Sequence, residues 1–388
     1  MKYLYITYYF PPDLGAGSFR SKSLIQNLAK KIKKKDEIHI ITTKPNRYSS
    51  QKKRKWRNKK NIFIHEIKLF SHDEKFLLKS LSGIIYLYKG ILLTIKIKPN
   101  FIITSSARLI SGLIGFVGSK IYNIKYMLDL RDLFSSFVEN YSEKKKFIKI
   151  FLPLFSYLEK LVIQNSISVN LVSAGFYSYF KKKKLIIKNF TNFTNGVDEL
   201  FLKSKVKKII NKKKIILYAG NIGLGQGLEK IIPGLAKINK KFQFIIIGSG
   251  GTSETLKHEN SILKNKNVRF LNPVDRKKLI NFYQKSDILF LHLNNLETFK
   301  YNLPSKIYEY SVLGKPVLAG IEGYAKKYCK QNFDNFFFFK PGNIKDCNKK
   351  IDQILKNKRK FKANKKLIRN DIMNNYANHI IEVSKKNY

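Results

Sequence analysis

Residues 215–227 read Ile-Ile-Leu-Tyr-Ala-Gly-Asn-Ile-Gly-Leu-Gly-Gln-Gly. A short apolar run, Ile215 to Ala219, passes straight into a glycine-rich loop and then into the periodic stretch Gly227 to Ile238. That order is strand, loop, helix. Glycines let a backbone come close to a ligand, and the start of a helix offers unpaired N–H groups to a phosphate. Taken alone, such a loop is equally a tight turn. Its place at the first strand of a second α/β pattern favours binding. The same device returns at Ile245-Ile246-Ile247-Gly248-Ser249-Gly250-Gly251, where turn and binding readings again stand side by side.

Downstream, the spacing predicts strands at Phe242 to Ile247, Val268 to Leu271, Ile288 to His292, Pro316 to Ala319 and Asn335 to Phe339. It predicts helices at Arg276 to Gln284, Lys306 to Leu313 and, in the tail, about Asn364 to Lys386. Upstream, strands are expected at Tyr3 to Tyr8, Ile38 to Thr43, Asn61 to Leu69, Phe101 to Ser105, Tyr126 to Leu130 and Ser168 to Val172, with a weaker one at Leu185 to Phe190. A turn at Pro11 to Gly17 leads into a helix from about Arg20 to Lys33, and the charged stretch Lys44 to Lys60 reads as an exposed loop. Short apolar runs alternating with longer helical patterns indicate a parallel sheet wrapped by helices. The pattern stops at Asn195-Gly196-Val197-Asp198, a strong turn signal followed by the Lys-rich stretch Lys203 to Lys214, and then restarts. The expected division is a first α/β domain over 1–195, a second over 196–365 and a C-terminal helix over 366–388 that packs back on the first domain. Two open parallel sheets facing each other would place ligands at the carboxyl ends of their strands.

The chain has 388 residues, 44% of them hydrophobic, which is enough for two cores. Its formal charge is +50. Such a charge suits a nucleic-acid binder, but the excess is Lys rather than Arg, is scattered along the whole chain and accompanies abundant Ile, Asn, Phe and Tyr. A composition drawn from AT-rich codons explains it, so no nucleic-acid partner is expected. Attraction to anionic lipid headgroups or to a diphosphate substrate stays open. The two cysteines, Cys329 and Cys347, form no disulfide framework or metal motif. The N-terminus has no signal-peptide pattern, no run of about 20 uncharged apolar residues exists, and a cytoplasmic location is expected. Phe76 to Ile97 and Lys146 to Ile163 mix aromatic and aliphatic residues with Lys. They read either as helices covering the N-terminal sheet or as amphipathic helices at the inner face of a membrane.

Three further stretches carry chemistry. In Asn302-Leu303-Pro304-Ser305-Lys306-Ile307-Tyr308-Glu309-Tyr310, Ser305 is placed to cap a helix that starts at Lys306. The free amides and Lys306 would suit a diphosphate, and the Glu309 carboxylate would accept hydrogen bonds from vicinal ribose hydroxyls. Gly15-Ala16-Gly17-Ser18 follows the first strand. Asp129-Leu130-Arg131-Asp132 ends another, and either faces the reacting sugar through Arg131 or Asp132 or forms a structural Asp–Arg pair. His39, His65 and His292 fall on strands and read as packed residues.

Taken together, these pieces resemble the family 4 retaining glycosyltransferases of the GT-B fold, and more narrowly the bacterial surface-polysaccharide subgroup that includes N-acetylfucosamine transferases. Tyr9 to Pro12 with Gly15 to Arg20, Asp129 to Asp132, Asn195 to Asp198, Gly220 to Gly227, Gly248 to Gly250 and Pro304 to Pro316 carry the resemblance. It implies two Rossmann-like, doubly wound parallel-sheet domains facing across a cleft. It implies a donor site drawn from Gly17, Asn221, Gln226, Gly248, Ser249, Val274, Leu303, Ser305, Lys306 and Glu309, with Arg131 and Asp132 as catalytic candidates. Glu309 matches the second glutamate of the family's E-x7-E motif, and the first falls at Tyr301. The family's Arg and Lys on the diphosphate fall at the neutral Asn221 and Gln226. The expected reaction is retaining transfer from a UDP-sugar to a lipid-linked saccharide, without metal or other cofactor. The competing expectations are a nucleotide-sugar epimerase of the same fold and an anionic-polymer binder.

Overall fold

β1 (Lys2–Thr7) is apolar along its length, and every residue after Lys2 is buried. A central parallel strand covered on both faces requires that pattern. The computed structural model describes residues 1–13, 15–45, 61–70, 76–106, 108–136, 138, 149–187, 189–202, 213–364 and 366–386. They fall into two units, Met1–Gly196 with Arg369–Tyr388, and Val197–Ile368.

In the first unit β1 is followed by α1 (Ala16–Lys31), β2 (Glu37–Thr43), β3 (Ile62–Ile67), α2 (Phe76–Ile97), β4 (Phe101–Ser106), α3 (Leu109–Ile121), β5 (Tyr126–Leu130), α4 (Leu152–Gln164), β6 (Ser168–Leu171), α5 (Gly175–Lys182) and β7 (Phe190–Thr191). All seven strands pair in parallel in the order β3-β2-β1-β4-β5-β6-β7. The chain thus winds outward from β1 in one direction and returns through β4 in the other. Right-handed crossovers then put α1 on one face and α2, α3 and α4 on the opposite face. The C-terminal helix Arg369–Lys386 joins the α1 face, where Met373, Tyr376, Ala377 and Ile380 enter one core with Leu24, Ile25 and Leu28.

The second unit repeats the plan. Its elements are α6 (Glu199–Leu202), β8 (Lys214–Asn221), α7 (Ile232–Ile238), β9 (Phe242–Ser249), α8 (Ser253–Ile262), β10 (Val268–Leu271), α9 (Arg276–Lys285), β11 (Ile288–His292), α10 (Lys306–Ser311), β12 (Val317–Gly320), α11 (Gly323–Asn332), β13 (Phe336–Phe339) and α12 (Ile344–Lys356). The sheet order is β10-β9-β8-β11-β12-β13, again all parallel. Alternation along β8 divides the core: Leu217 and Ala219 enter one cluster, Ile216 and Tyr218 the other. In both sheets the order reverses beside the first strand, and ligands of open α/β sheets bind at such switch points.

Several elements depart from the sequence expectations. The helix expected from Gly227 to Ile238 is split into a 3₁₀ turn at Leu228–Lys230 and α7. Pro233 lies in the first turn of α7, and its ring prevents a helix from running through it. The tail helix starts at Arg369 rather than near Asn364, because Leu367 and Ile368 pair with Val197 as extended chain. The weak strand expected over 185–190 shrinks to Phe190–Thr191. Most of the charged stretches 44–60 and 203–214, and residues 146–148 of the second apolar-basic segment, lie outside the described residues.

Candidate functional site

The carboxyl ends of β8, β9 and β11 and the start of α10 bring three of the sequence motifs together. Gly220 and Gly248 pair one residue before the ends of β8 and β9. A Cβ on Gly248 would lie 1.9 Å from the Gly220 carbonyl oxygen, so only glycine permits this approach. The two loops are then laced by backbone bonds, Ile222 N–H to Ser249 O at 3.0 Å and Thr252 N–H to Ile222 O at 3.1 Å. The Lys306 side chain runs alongside, its Cε 3.7 Å from the Cβ position of Gly220.

Glu309 sits one turn into α10 and is 7% exposed. Its Oε2 accepts from Lys306 Nζ at 2.7 Å and from the Tyr283 hydroxyl at 2.9 Å, and Lys306 Nζ also donates to the Tyr283 oxygen at 2.9 Å. Arg276 Nη2 lies 3.8 Å from Oε1, while Arg276 Nη1 pairs with Asp198. Burial works against the charged carboxylate, but Lys306 and Arg276 outweigh it and hold the Glu309 carboxyl below its ordinary range. Burial, reinforced by the adjacent carboxylate, pushes the Tyr283 phenol far up, so it is a permanent donor. Neither Tyr283 nor Arg276 was singled out from the sequence. Both lie on one face of α9, seven residues apart, with Arg276 two residues after Val274. That helical spacing is the signal in the sequence that marks them as partners of one group.

Two expectations for this stretch need correction. Ser305 makes no capping hydrogen bond, because its backbone is already helical at φ −60° and ψ −24°, whereas a capping residue is extended. The amides of Ile307 and Tyr308 are not left for a phosphate either: they bond back to Pro304 O at 3.1 Å and Ser305 O at 3.3 Å. Leu303 is buried in the core cluster and Val274 packs against it. Val274 lies in the loop from β10 to α9, beside the residue that reaches Glu309.

Asn221 and Gln226 engage each other, Nδ2 to Oε1 at 2.8 Å. Their loop is fastened from β11 and beyond. Asn294 donates its backbone N–H to Gly225 O at 2.8 Å and its side-chain amide to Leu224 O at 3.0 Å. Gly342 N–H donates to His292 Nε2 at 2.9 Å, which leaves Nδ1 as the donor to Gln226 O at 2.6 Å. Burial, and secondarily Lys230, lowers the His292 pKa to about 4. The ring is therefore a neutral strut beneath the loop, in keeping with a packed rather than catalytic histidine.

In the first unit the Arg131 guanidinium lies across Gly17: a Cβ there would be 2.1 Å from Arg131 Nη1. Among the described residues, Arg131 Nε and Nη1 are buried without a hydrogen-bond partner, as is Ser18 Oγ. Asp132 is exposed. The Asp–Arg pair at this strand end uses neither Arg131 nor Asp132. Arg20 donates to Asp129 through Nε at 3.0 Å and Nη2 at 2.9 Å, with both side chains fully buried, and Asn170 adds a bond to Asp129 at 2.7 Å. Glu159, from α4, accepts from the amides of Phe134 at 2.8 Å and Ser135 at 3.3 Å and so holds the chain just after Asp132. Among the described residues no group of three or more His, Cys, Asp and Glu is placed to hold a metal ion, and no helix is long and apolar enough to cross a membrane.

Residues 201–372 match the family model described as Glycosyl transferases group 1. No curated protein matches the chain by sequence. Among solved structures, Alr3699/HepE of Anabaena in complex with UDP and glucose aligns with a TM-score of 0.65 at 14% identity, covering 100% of this chain and 98% of that one. Sucrose-phosphate synthase from Thermosynechococcus elongatus aligns with a TM-score of 0.70 at 13% identity, covering 99% and 96%. UDP-GlcNAc 2-epimerase from Methanocaldococcus jannaschii aligns with a TM-score of 0.57 at 12% identity, covering 98% and 100%. At these identities the likeness is one of fold, two Rossmann-like parallel-sheet domains of the GT-B class. The family match and that fold support a glycosyltransferase.

Proposed function

We propose that this protein is a retaining glycosyltransferase of the family 4 type that moves a sugar from a UDP-sugar to a lipid-linked saccharide in surface-polysaccharide synthesis. The observation that carries the donor half is the position of Glu309, a buried carboxylate held ionised by Lys306, Arg276 and Tyr283 next to the Gly220 and Gly248 turns. An ionised acceptor held in place binds vicinal hydroxyls through charge-assisted hydrogen bonds. In this reading Glu309 takes the donor ribose, and the Val274 loop takes the base. The loops at Asn221–Gln226 and Gly248–Ser249, with Lys306, take the diphosphate. Alr3699/HepE, which shares the fold, has been solved with UDP and glucose. Arg131 and Asp132 are assigned as the catalytic candidates.

Transfer of this kind rests on positioning and on stabilising the departing diphosphate. Lys306 and loop amides do this here, so turnover is expected to persist in EDTA. A thermal-shift screen of nucleotides and nucleotide-sugars tests the donor half without an acceptor. Stabilisation by UDP that disappears in Glu309→Ala is expected, and equal stabilisation of both proteins contradicts the assignment.

A second reading, nucleotide-sugar epimerisation, is favoured by the epimerase among the structural relatives. Epimerases need side chains that exchange protons at the sugar. In the second unit His292 is held by two bonds and Glu309 is committed to cations. Incubation with UDP-N-acetylglucosamine alone decides between them: a new sugar nucleotide would establish epimerisation.

A further inference from the structure

We infer that the helical layer α2–α3–α4 of the first unit is a docking surface for an anionic lipid bilayer. The inference deepens the functional reading, resting on it only for the acceptor being lipid-linked.

The layer is built to leave an apolar side outward. α3 is the middle helix and carries Gly112, Gly115 and Gly118 three residues apart. A Cβ at Gly115 would lie 2.1 Å from Thr104 of β4, and one at Gly112 would lie 2.7 Å from Val162 of α4. α3 is thereby pressed onto the sheet and against α4. On its other flank Ile110 and Ile114 close over Gly83 and Gly90 of α2, whose Cβ positions lie 2.8 Å and 2.5 Å from them. Sheet packing is satisfied by these inner residues. It does not account for what lies outside.

On α2 the residues Leu81, Ile84, Tyr88, Leu92 and Ile95 repeat at helical spacing and are 43%, 63%, 63%, 47% and 42% exposed. On and just before α4, Ile150, Phe151, Leu154 and Tyr157 are 77%, 50%, 51% and 60% exposed. Nine large apolar side chains on one layer exceed the scattered exposure normal for a soluble surface. The charge on the layer selects the occupant. α2 and α3 contain no Asp or Glu, and the one acid of α4, Glu159, is buried against the Phe134 and Ser135 amides. Lys89, Lys96, Lys120, Lys149 and Lys160 are all exposed. An apolar stripe flanked by cations and free of exposed acids matches the interface of an anionic bilayer. There, apolar side chains enter the headgroup boundary and each Lys near the surface adds electrostatic attraction to the anionic headgroups. With no helix able to cross a membrane among the described residues, the attachment is peripheral.

The test is flotation of the full chain with vesicles of phosphatidylcholine alone and of phosphatidylcholine doped with phosphatidylglycerol. Wild type should float with the doped vesicles only, and added salt should weaken binding. Ile84→Ser/Tyr88→Ser/Leu92→Ser should cut the bound fraction roughly tenfold or more, and Lys89→Glu/Lys96→Glu should do the same. Lys358→Glu/Lys360→Glu carries the same charge change on the second unit and should float like wild type; equal loss there would reduce the effect to bulk charge and overturn the assignment. So would wild type that stays soluble, or apolar variants that float undiminished. If those variants instead abolish a dimer seen by sedimentation, the face belongs to a second copy and the inference fails. The UDP-induced thermal shift is measured on every variant. It should be unchanged, which confirms folding and separates failure of this face from failure of the donor site.

Discussion

Lys306 Nζ donates to Glu309 Oε2 at 2.7 Å within the first turn of α10, so the cation expected to meet a diphosphate also fixes the carboxylate expected to meet the ribose. The two roles are coupled. Removing the carboxylate frees the lysine, and removing the lysine leaves Glu309 dependent on Arg276 and Tyr283. Glu309→Ala should therefore raise the donor KM about tenfold or more, since hydrogen bonds to a charged acceptor are worth roughly 1.5–3 kcal/mol each. Lys306→Met should raise KM and also lower kcat, because in the proposed donor site its charge meets the leaving diphosphate. Steady-state kinetics with a UDP-sugar check both. Wild-type constants in either variant would show that this corner does not hold the donor.

The close approach of Gly248 to Gly220 gives a sharper test of the loop geometry. Gly248→Ala places a methyl 1.9 Å from a backbone oxygen, and backbone cannot move aside as a side-chain tip can. The ends of β8 and β9 must part, at about 1–3 kcal/mol or more, and UDP binding should fall with them. Gly251, three residues on, has open space around the same position. Gly251→Ala should be silent in thermal melts and in UDP titration. Equal behaviour of the two variants would contradict the packing described.

Sequence pattern revealed most of the fold because the strands of a doubly covered parallel sheet are continuous apolar runs. β10 and β11 match the predicted bounds to the residue. Helix continuity around Pro233 was misread because periodicity outlasted the helix. Within the site, Glu309, Lys306 and the glycine turns were legible because each has a local motif. Tyr283 and the pairing of Arg20 were not, since their roles depend on partners 26 and 109 residues away. The Asp–Arg pair at the end of β5 illustrates the difficulty. Asp129 has an arginine two positions on, yet its partner is Arg20, brought in by α1.

His292 makes the second unit sensitive to acid. Its pKa falls to about 4 in the fold, from about 6.5 unfolded. Between those values the unfolded chain binds the extra proton, so stability rises with pH across the window and is lost as pH falls from 6.5 towards 4. The full effect of this residue is about 3 kcal/mol. Glu309, whose carboxyl is also lowered, adds a further loss only below about pH 4.3. Thermal melts from pH 7 to pH 4 should show a falling Tm that flattens in His292→Phe, a variant less stable at pH 7 because the Gln226 carbonyl and the Gly342 amide lose their partner. An unchanged slope in the variant would place the titrating group elsewhere.

Gly17 and Arg131 allow function to be separated from stability in the first unit. The Gly17 Cβ position falls 2.1 Å from Arg131 Nη1, 2.5 Å from Nη2 and 2.6 Å from Cζ, so its three nearest atoms all belong to that one side chain. Gly17→Ala therefore collides with the end of a flexible side chain rather than with backbone, and Arg131 can swing away at little cost. Gly17 lies inside the first turn of α1, where alanine is also the better helix former. Stability should change by less than about 1 kcal/mol. Activity is expected to fall, because the displaced guanidinium is the proposed catalytic one, whose Nε and Nη1 find no partner among the described residues. Arg131→Ala should lose activity to a similar degree, and the double variant should be no worse than Arg131→Ala alone, the non-additivity expected of residues acting through one group. If the double variant loses activity multiplicatively, Gly17 acts by itself and not through Arg131.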